Sequence, residues 1–354
     1  MPGARTLAQV YRRFGEVEAA GTSPLYERVA VALSESGEAL RAIETAPARK
    51  RHPTVILTAL HDLALAGRAP ELAAAYAAAD GDAAAGAAIG TLLRMTGAVV
   101  AIAVRRPVRT YETVRCAVLY PAIAEAAGRL GADAAGLIDV GGSAGLNLSV
   151  DRVGITYSNG QSLGDPSSPV QLSSSVVGNR PVPARAMPEV VARVGVGPDL
   201  FDVTDAAEAR WLRACLWPGQ PERSAGLEAG LALAATALPQ LLPGDAAELL
   251  PGAFARVPAG ALPVVITTWA LSSLPPASRL RFLHRLGEAA AGRTVAWVSV
   301  EGVGVAPSVP TLGDRRASGH SIIGLAVPGQ PALRAEAIGR CWSRGRFLAW
   351  LAGS

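Results

Sequence analysis

The chain has 354 residues, of which 50% are hydrophobic and 18% charged, a composition that is typical of a globular protein and excludes a disordered one. Its net charge of +4 comes from 33 basic and 29 acidic residues scattered along the sequence, which argues against a nucleic-acid surface. Lys50, in the polar segment ARKRHP, is the only lysine, and this argues against a P-loop and a Schiff-base enzyme.

The N-terminal segment MPGARTLAQVYRRFG lacks the apolar core of a signal peptide. The most membrane-like stretch, TLLRMTGAVVAIAV, is interrupted by Arg94 and ends at Arg105. We therefore expect a cytoplasmic protein without a membrane partner. The three cysteines are widely spaced, which fits reduced thiols, and the four histidines show no metal-binding spacing, so we expect no metal site.

Residues 1–135 are predicted to form an all-helical region, because their apolar positions recur at three- and four-residue spacing between Gly- and Pro-containing breaks. We expect this region to cover the ligand pocket. Residues 136–354 show short apolar runs separated by helix-length segments, the pattern of a parallel sheet in an α/β fold. The predicted strands are GLIDV, VVARVGV, a run near LPQLLPGD, LPVVITTW and RTVAWVSVE.

Two further strands are predicted in the tail, HSIIGLAVP and RGRFLAWLA, and a polar insertion over about residues 157–185 is predicted to be a loop or small hairpin. Mostly parallel strands that end in an antiparallel pair are typical of the Rossmann-like sheet of class I methyltransferases. The fold class predicted is therefore α/β, with a methyltransferase-type sheet behind a helical N-terminal region.

The segment LIDVGGSAGLNL carries the strongest local signal. A buried strand ends at Asp139, a turn of small residues follows, and a helix is predicted to begin near Leu146. Small residues let the backbone approach a ligand, and a carboxylate at the strand end suits the amino group of S-adenosylmethionine. The predicted cofactor-binding residues of this segment are Asp139, Gly141, Gly142, Ser143, Gly145 and Asn147.

The same GGSAG stretch matches the nucleophile elbow of serine hydrolases, with Ser143 as nucleophile and Asp245 and His320 following in the required order. An elbow normally follows several strands, whereas a long helical segment precedes this one, so we favour the cofactor-binding interpretation. A purely structural tight turn is the third interpretation.

Two downstream acids are predicted to hold the nucleoside of the cofactor. Asp199, with Asp202 as the second candidate, follows the second strand, where a carboxylate would bind the ribose hydroxyls. Asp245 follows the third strand, at a position that commonly contacts adenine. Both positions also fit ordinary turns or a helix cap.

The predicted substrate side of the site draws on the ends of later strands and on the helical region. Glu301, at the end of the fifth strand, is the predicted general base, and Glu112 and Arg115 are the other catalytic candidates. The predicted substrate-binding residues are Trp269, Thr267, His61 and Trp217. For His61 and Trp217, packing in the core is the alternative.

The chain resembles a bacterial family of unknown function, common in high-GC genomes, whose members look like class I methyltransferases with a helical N-terminal region. The resemblance covers nearly the whole chain and is carried by SPLYERV, ALHDLALAGRAPELAAAY, the T-x-E-x-x-R stretch, GGSAGLNLSVDR, VTDAAEARWLRACLWPGQPER, WVSVE and RGRFLAW. It implies the same fold and cofactor. This chain departs from the family pattern at four positions. Tyr111 stands where the family has asparagine, Gly197 where it has aspartate, and Thr267 and Arg344 where it has histidine.

The leading hypothesis is an S-adenosylmethionine-dependent transferase, most simply a methyltransferase, that acts on a small molecule. The departures from the family pattern would fit a diverged member in specialised metabolism. A serine hydrolase and a non-catalytic Rossmann-like binding module are the alternatives. The acceptor and the oligomeric state are left open.

Overall fold

The structure of the protein is a computed structural model, which describes residues 6–110, 112–141, 146–327 and 334–353. The chain divides into two compact units, one made of residues 1–111 and 205–228 and the other of residues 112–204 and 229–354. The sequence placed the division after residue 135, where the strand pattern begins. The helix just before the first strand instead belongs to the sheet-containing unit, and a later helical segment belongs to the first unit.

Within the described ranges, the α-helices are α1 (Leu7–Arg13), α2 (Pro24–Glu35), α3 (Gly37–Glu44), α4 (Pro53–Leu65), α5 (Pro70–Ala77), α6 (Gly81–Arg94), α7 (Thr96–Arg105), α8 (Cys116–Leu130), α9 (Ala206–Ala214), α10 (Pro221–Ala235), α11 (Ala246–Phe254) and α12 (Pro276–Ala289). The strands are β1 (Ala134–Val140), β2 (Gly154–Tyr157), β3 (Ser162–Gly164), β4 (Gln171–Val176), β5 (Glu189–Gly197), β6 (Gln240–Pro243), β7 (Leu262–Thr268), β8 (Ala296–Gly302), β9 (Ser321–Val327), β10 (Arg334–Trp342) and β11 (Phe347–Trp350).

The first unit is helical in all its described elements, as the sequence predicted for the N-terminal region. Its helices begin at residues suited to helix starts: Ser23 and Asp80 accept hydrogen bonds from backbone amides at the starts of α2 and α6, and α4 and α5 begin at Pro53 and Pro70. The apolar faces enclose one core that includes Tyr11, Tyr26, Leu33, Ile56 and Leu60.

Among the described residues, no single helix has both the length and the apolarity of a membrane span. Helices α6 and α7 meet these criteria only as a pair, and the pair is bent by 90°.

The second unit contains an eleven-stranded, mixed and mostly parallel sheet in the order β3-β2-β4-β11-β10-β9-β8-β7-β1-β5-β6. Strands β6, β5, β1, β7 and β8 are parallel neighbours. All seven strands predicted for this half of the chain are present. The central strands β1, β7 and β8 are unbroken apolar runs because both of their faces are buried, one against a core containing α8 and the other against a core containing α11 and α12.

The strand order reverses direction at β1. Strands β5 and β6 extend the sheet to one side of β1, and β7 and β8 extend it to the other side. In open α/β sheets, such a switch point leaves a crevice beyond the carboxyl ends of the two central strands, and ligands bind there. The residues that follow β1 and β7 are therefore the first place to look for a functional site.

The antiparallel part of the sheet is larger than the predicted strand pair. Strand β10 lies between β9 and β11 and is antiparallel to both. We missed it because RAEAIGRCW contains three charged residues in nine and lacks an apolar run. The polar insertion also contributes: β2 and β3 form the small hairpin, and β4 pairs in parallel with both β2 and β11.

The helix predicted to begin near Leu146 is instead a seven-residue 3₁₀ segment, Leu146–Arg152, with a break at Ser149. All five residues from Leu146 to Val150 are buried, the polar Asn147 and Ser149 included. The segment is therefore enclosed on all sides and lacks the single apolar face of an amphipathic α-helix.

Candidate functional site

Three buried polar residues meet at the carboxyl ends of β1 and β7. Asp139 ends β1 with 1% of its surface exposed, and Asn147 follows in the 3₁₀ segment with 2% exposed. The Nδ2 atom of Asn147 donates hydrogen bonds to Asp139 Oδ1 at 3.1 Å and to Thr268 Oγ1 at 3.0 Å. The structure thus brings together two of the predicted cofactor-binding residues with Thr268, which lies beside Thr267 at the end of the fourth predicted strand.

Thr267, which was predicted to bind substrate, lies on the opposite face of β7. Its side chain is fully buried, and Oγ1 accepts a hydrogen bond from Trp297 Nε1 at 3.0 Å within the core. Thr268 shares the face of Val264 and Ile266, which pack toward α8. Counting the two-residue alternation along β7 separates the two threonines: Thr268 lies on the face of the polar cluster and Thr267 on the other, so the predicted place of Thr267 at the site is wrong.

The turn after β1 begins at Gly141, whose backbone adopts φ +98°. Its amide donates a hydrogen bond to Val196 O at 2.9 Å, and a Cβ at this position would lie 2.7 Å from the Cβ of Ala270. Only glycine fits this conformation without strain. The other predicted turn residues, Gly142, Ser143 and Gly145, lie outside the described residues.

Replacing Gly141 by alanine is expected to destabilise the protein by about 2 kcal/mol more than the same change at Gly178. Gly178 is the matched control, because its φ is also positive, at +88°, but no atom lies within 4 Å of the added Cβ. Urea unfolding of both variants measures the difference. Equal losses would mean that the contact with Ala270 does not shape the turn.

Arg115 is a buried arginine at the end of the 3₁₀ turn Thr113–Arg115, with 7% of its surface exposed. Its guanidinium carbon lies 5.0 Å from the ring centroid of Trp269, in cation–π contact. Burial and the positive charge of Arg344 lower the pKa of Arg115, and the charges of Asp139 and Glu112 act in the opposite direction. The catalytic candidates Glu112 and Arg115 therefore share this end of the sheet with Asp139.

Trp269 follows β7 directly and has an uncommon positive φ of +53°. Its backbone amide donates to Val300 O at 3.0 Å, and its indole Nε1 donates to Ser321 Oγ at 2.8 Å. Two hydrogen bonds thus fix the ring, one face of which carries the Arg115 guanidinium. This arrangement supports a place for Trp269 at the site.

Glu301 lies at the end of β8, but its side chain is on the sheet face opposite to Asp139. Glu301 lies on the same face of β8 as Trp297, which packs in the core with α11 and α12. Val298 and Val300 lie on the other face, toward α8. Only 1% of Glu301 is exposed. A carboxylate enclosed on that face does not meet a ligand held at Asp139.

The carboxylate of Glu301 instead supports the short turn after Trp269. Oε1 accepts a hydrogen bond from the Leu271 amide at 2.9 Å, whereas Oε2 is buried without a hydrogen-bond partner. Burial raises the pKa of Glu301 to about 7, against the opposing effect of nearby backbone amides. The predicted general base is therefore corrected to a residue that positions the turn Leu271–Ser273.

The predicted nucleoside-binding acids lie in the turns after the second and third parallel strands, β5 and β6. Asp199 is exposed beyond the end of β5. Asp202 accepts hydrogen bonds from the amide and hydroxyl of Thr204, in a local turn. Asp245 accepts a hydrogen bond from the Ala247 amide at 2.9 Å, caps α11 and forms an ion pair with Arg281. The capping role considered for Asp245 is thus present, and its contact with adenine stays a prediction.

The acid–base pair needed for a serine hydrolase is not formed. His320 Nε2 donates to Asp314 Oδ2 at 2.9 Å, and Asp314 is also bound by Arg340. The carboxylate of Asp245 is bound to Arg281 and to the start of α11. Ser143, the nucleophile in that hypothesis, lies outside the described residues.

His61 and Trp217, predicted to bind substrate, both pack within the first unit. His61 Nδ1 donates to the Ala214 carbonyl at 3.1 Å, and burial lowers the pKa of its imidazole. Trp217 contacts the rings of Phe14 and Tyr26, at centroid distances of 5.4 and 5.8 Å. Both contacts fit the alternative role in the core.

A family model described as "Uncharacterized protein conserved in bacteria (DUF2332)" matches residues 8–350, nearly the whole chain. No curated protein matches the sequence.

Proposed function

The chain belongs to this bacterial family, and we propose that it is an S-adenosylmethionine-dependent transferase, most simply a methyltransferase, that acts on a small molecule. The observation that carries the proposal is the buried Asp139–Asn147–Thr268 cluster at the switch point of the sheet. A strand order that reverses at β1 is shared by doubly wound α/β sheets, Rossmann folds among them, and it supports the proposal. The class I methyltransferase type of this sheet is part of the proposal.

The residues at the end of β1 fit the amino-acid end of the cofactor. The carboxylate of Asp139 can bind an ammonium group, and the positive φ of Gly141 lets the chain turn sharply after β1 against Ala270. Asn147 fixes the orientation of the carboxylate and is itself held by Thr268. A group held in this way needs little reorganisation when a ligand arrives.

When bound, the cofactor would supply an electrophilic methyl group. The contribution of the chain is position: Asp139, Gly141 and Asn147 would hold the amino-acid end, and Asp199 and Asp245 would hold the nucleoside. The turn residues Gly142, Ser143 and Gly145 complete the proposed set. Transfer to a correctly aligned acceptor depends chiefly on such positioning.

Thermal unfolding in the presence of candidate cofactors tests the proposal. S-adenosylmethionine and S-adenosylhomocysteine are expected to raise the Tm, because a ligand at 100 times its Kd stabilises the folded state by about 2.7 kcal/mol. NAD and ATP, which lack the amino-acid end, are expected to leave the Tm unchanged. An equal shift with NAD, or no shift with either adenosyl ligand, would contradict the proposal.

Replacing Thr268 by valine is expected to weaken S-adenosylhomocysteine binding about 10-fold, because Asn147 loses a hydrogen bond and Asp139 is held less firmly. The matched control is Thr267→Val on the other face of β7, which is expected to leave the Kd within about twofold while costing about 1–2 kcal/mol of stability at Trp297. Calorimetry and urea unfolding measure the two effects. A larger loss of affinity for Thr267→Val than for Thr268→Val would show that the ligand binds on the face of β7 that carries Thr267, and this would contradict the proposal.

A further inference from the structure

We propose that Arg115 and Arg344 form a binding site for an oxyanion, and that the substrate of this protein is a small molecule with a carboxylate or phosphate group. The assignment of this anion to the substrate rests on the proposed function. Anion binding by the two arginines stands without it.

Arg115 lies near the negative charges of Asp139 and Glu112 but, among the described residues, lacks the bonded partners that a buried arginine usually has. Within the described part of the chain, its guanidinium forms no hydrogen bond and no ion pair within 4.0 Å, and Nε is fully buried without a partner. A buried charge is costly unless it is paired and hydrogen-bonded. An oxyanion would supply both, since a guanidinium binds carboxylate and phosphate through two parallel N–H groups.

The ring of Trp269 gives that guanidinium a fixed neighbour. The guanidinium carbon lies over the ring, 5.0 Å from its centroid, and the indole is itself tied to Ser321. A cation–π contact uses the charge of the guanidinium and none of its N–H donors. The contact with Trp269 therefore holds Arg115 without satisfying the groups that would bind an oxyanion.

Arg344 brings a second positive charge to the same place. It lies in the 3₁₀ turn Ser343–Gly345, which contacts the turn Thr113–Arg115, and Gly345 allows the approach because a Cβ there would lie 2.8 Å from Val114 O. The charge of Arg344 lowers the pKa of Arg115, so the two cations repel each other. Arg344 is exposed, and the contacts of the described residues include no carboxylate bonded to it. An anion between the two arginines would turn this repulsion into attraction.

The position of Arg344 favours the substrate over the cofactor as the source of the anion. Arg344 lies between β10 and β11, on the β7 side of β1, whereas Asp199 and Asp245 follow β5 and β6 on the other side. A nucleoside held by Asp199 and Asp245 would leave the β7 side to the acceptor. The carboxylate of the cofactor itself is the competing source, and the experiment below distinguishes it.

The test is calorimetric titration of the full chain with inorganic phosphate and, separately, with acetate, at constant ionic strength maintained with chloride. At least one anion is expected to bind, and Arg344→Gln is expected to weaken that binding at least 10-fold. Arg346→Gln is the control, since Arg346 is exposed and only two residues away, and its effect is expected to stay within about twofold. If neither anion binds, or if Arg344→Gln and Arg346→Gln lose affinity for the anion equally, the proposed anion site is wrong.

Repeating the titration with saturating S-adenosylhomocysteine separates the two claims. Unchanged anion affinity supports a substrate site beside the cofactor. Competition between the two ligands assigns the anion to the carboxylate of the cofactor and overturns the substrate inference. If the anion binds through Arg344 and S-adenosylhomocysteine does not bind at all, the arginine site stands and the proposed function fails.

Discussion

Replacing Asp139 by asparagine is expected to weaken the binding of S-adenosylhomocysteine at least 10-fold. The change keeps the size of the side chain and an oxygen that accepts from Asn147, but it removes the negative charge. A charged hydrogen bond in a buried site contributes about 1.5–3 kcal/mol, which corresponds to a factor of roughly 10 to 150 in affinity. Calorimetric titration of the variant and the wild type measures the ratio.

Asp133→Asn is the matched control for this experiment. Asp133 is exposed and precedes the amino end of β1, whereas Asp139 is buried near its carboxyl end. The control is expected to bind as the wild type does. If the Asp139→Asn variant folds with a Tm near that of the wild type and binds S-adenosylhomocysteine with unchanged affinity, the carboxylate of Asp139 does not contribute to cofactor binding.

Replacing Glu301 by glutamine is expected to remove a pH-dependent loss of stability. Burial raises the folded-state pKa of Glu301 to about 7, above the ordinary value of 4.5 for a glutamate. Between these two values the folded state holds a proton that the unfolded state has released, so the stability of the wild type falls as pH rises from about 4.5 to about 7. The shift corresponds to about 3 kcal/mol, which glutamine, always neutral, does not lose.

Urea unfolding at pH 5 and pH 8 tests this expectation. The stability of Glu301→Gln relative to the wild type is expected to rise by about 2.5 kcal/mol between the two pH values. Glu248→Gln is the control, because Glu248 is exposed on α11, and its relative stability is expected to change much less. A constant difference between wild type and Glu301→Gln at the two pH values would show that Glu301 is not held in a buried, weakly bonded state.

The α/β class of the fold could be predicted because the central strands are buried on both faces. Such strands read as unbroken apolar runs, and β1, β7 and β8 were all found in this way. Strand β10 could not be found by the same signal, because it alternates apolar with charged or small residues in the antiparallel part of the sheet. The helix predicted after β1 does begin at Leu146, but it is a 3₁₀ segment with a break at Ser149, which the sequence did not indicate.

The candidate site was predicted where the signal is local and missed where it depends on strand register. Asp139 and Asn147 follow from one short segment, LIDVGGSAGLNL. Choosing Thr268 over Thr267, and placing Glu301 on the other face, requires knowing which residues of β7 and β8 face α8. The meeting of Arg115, Trp269 and Arg344 joins three distant parts of the chain, and no local pattern in the sequence encodes it.

The most direct measurement is a calorimetric titration of the wild-type chain with S-adenosylhomocysteine. A cofactor site at the end of β1 predicts saturable binding with one ligand per chain. The absence of binding heat, together with an unchanged Tm at millimolar ligand, would contradict the assignment of this sheet to an S-adenosylmethionine-dependent transferase.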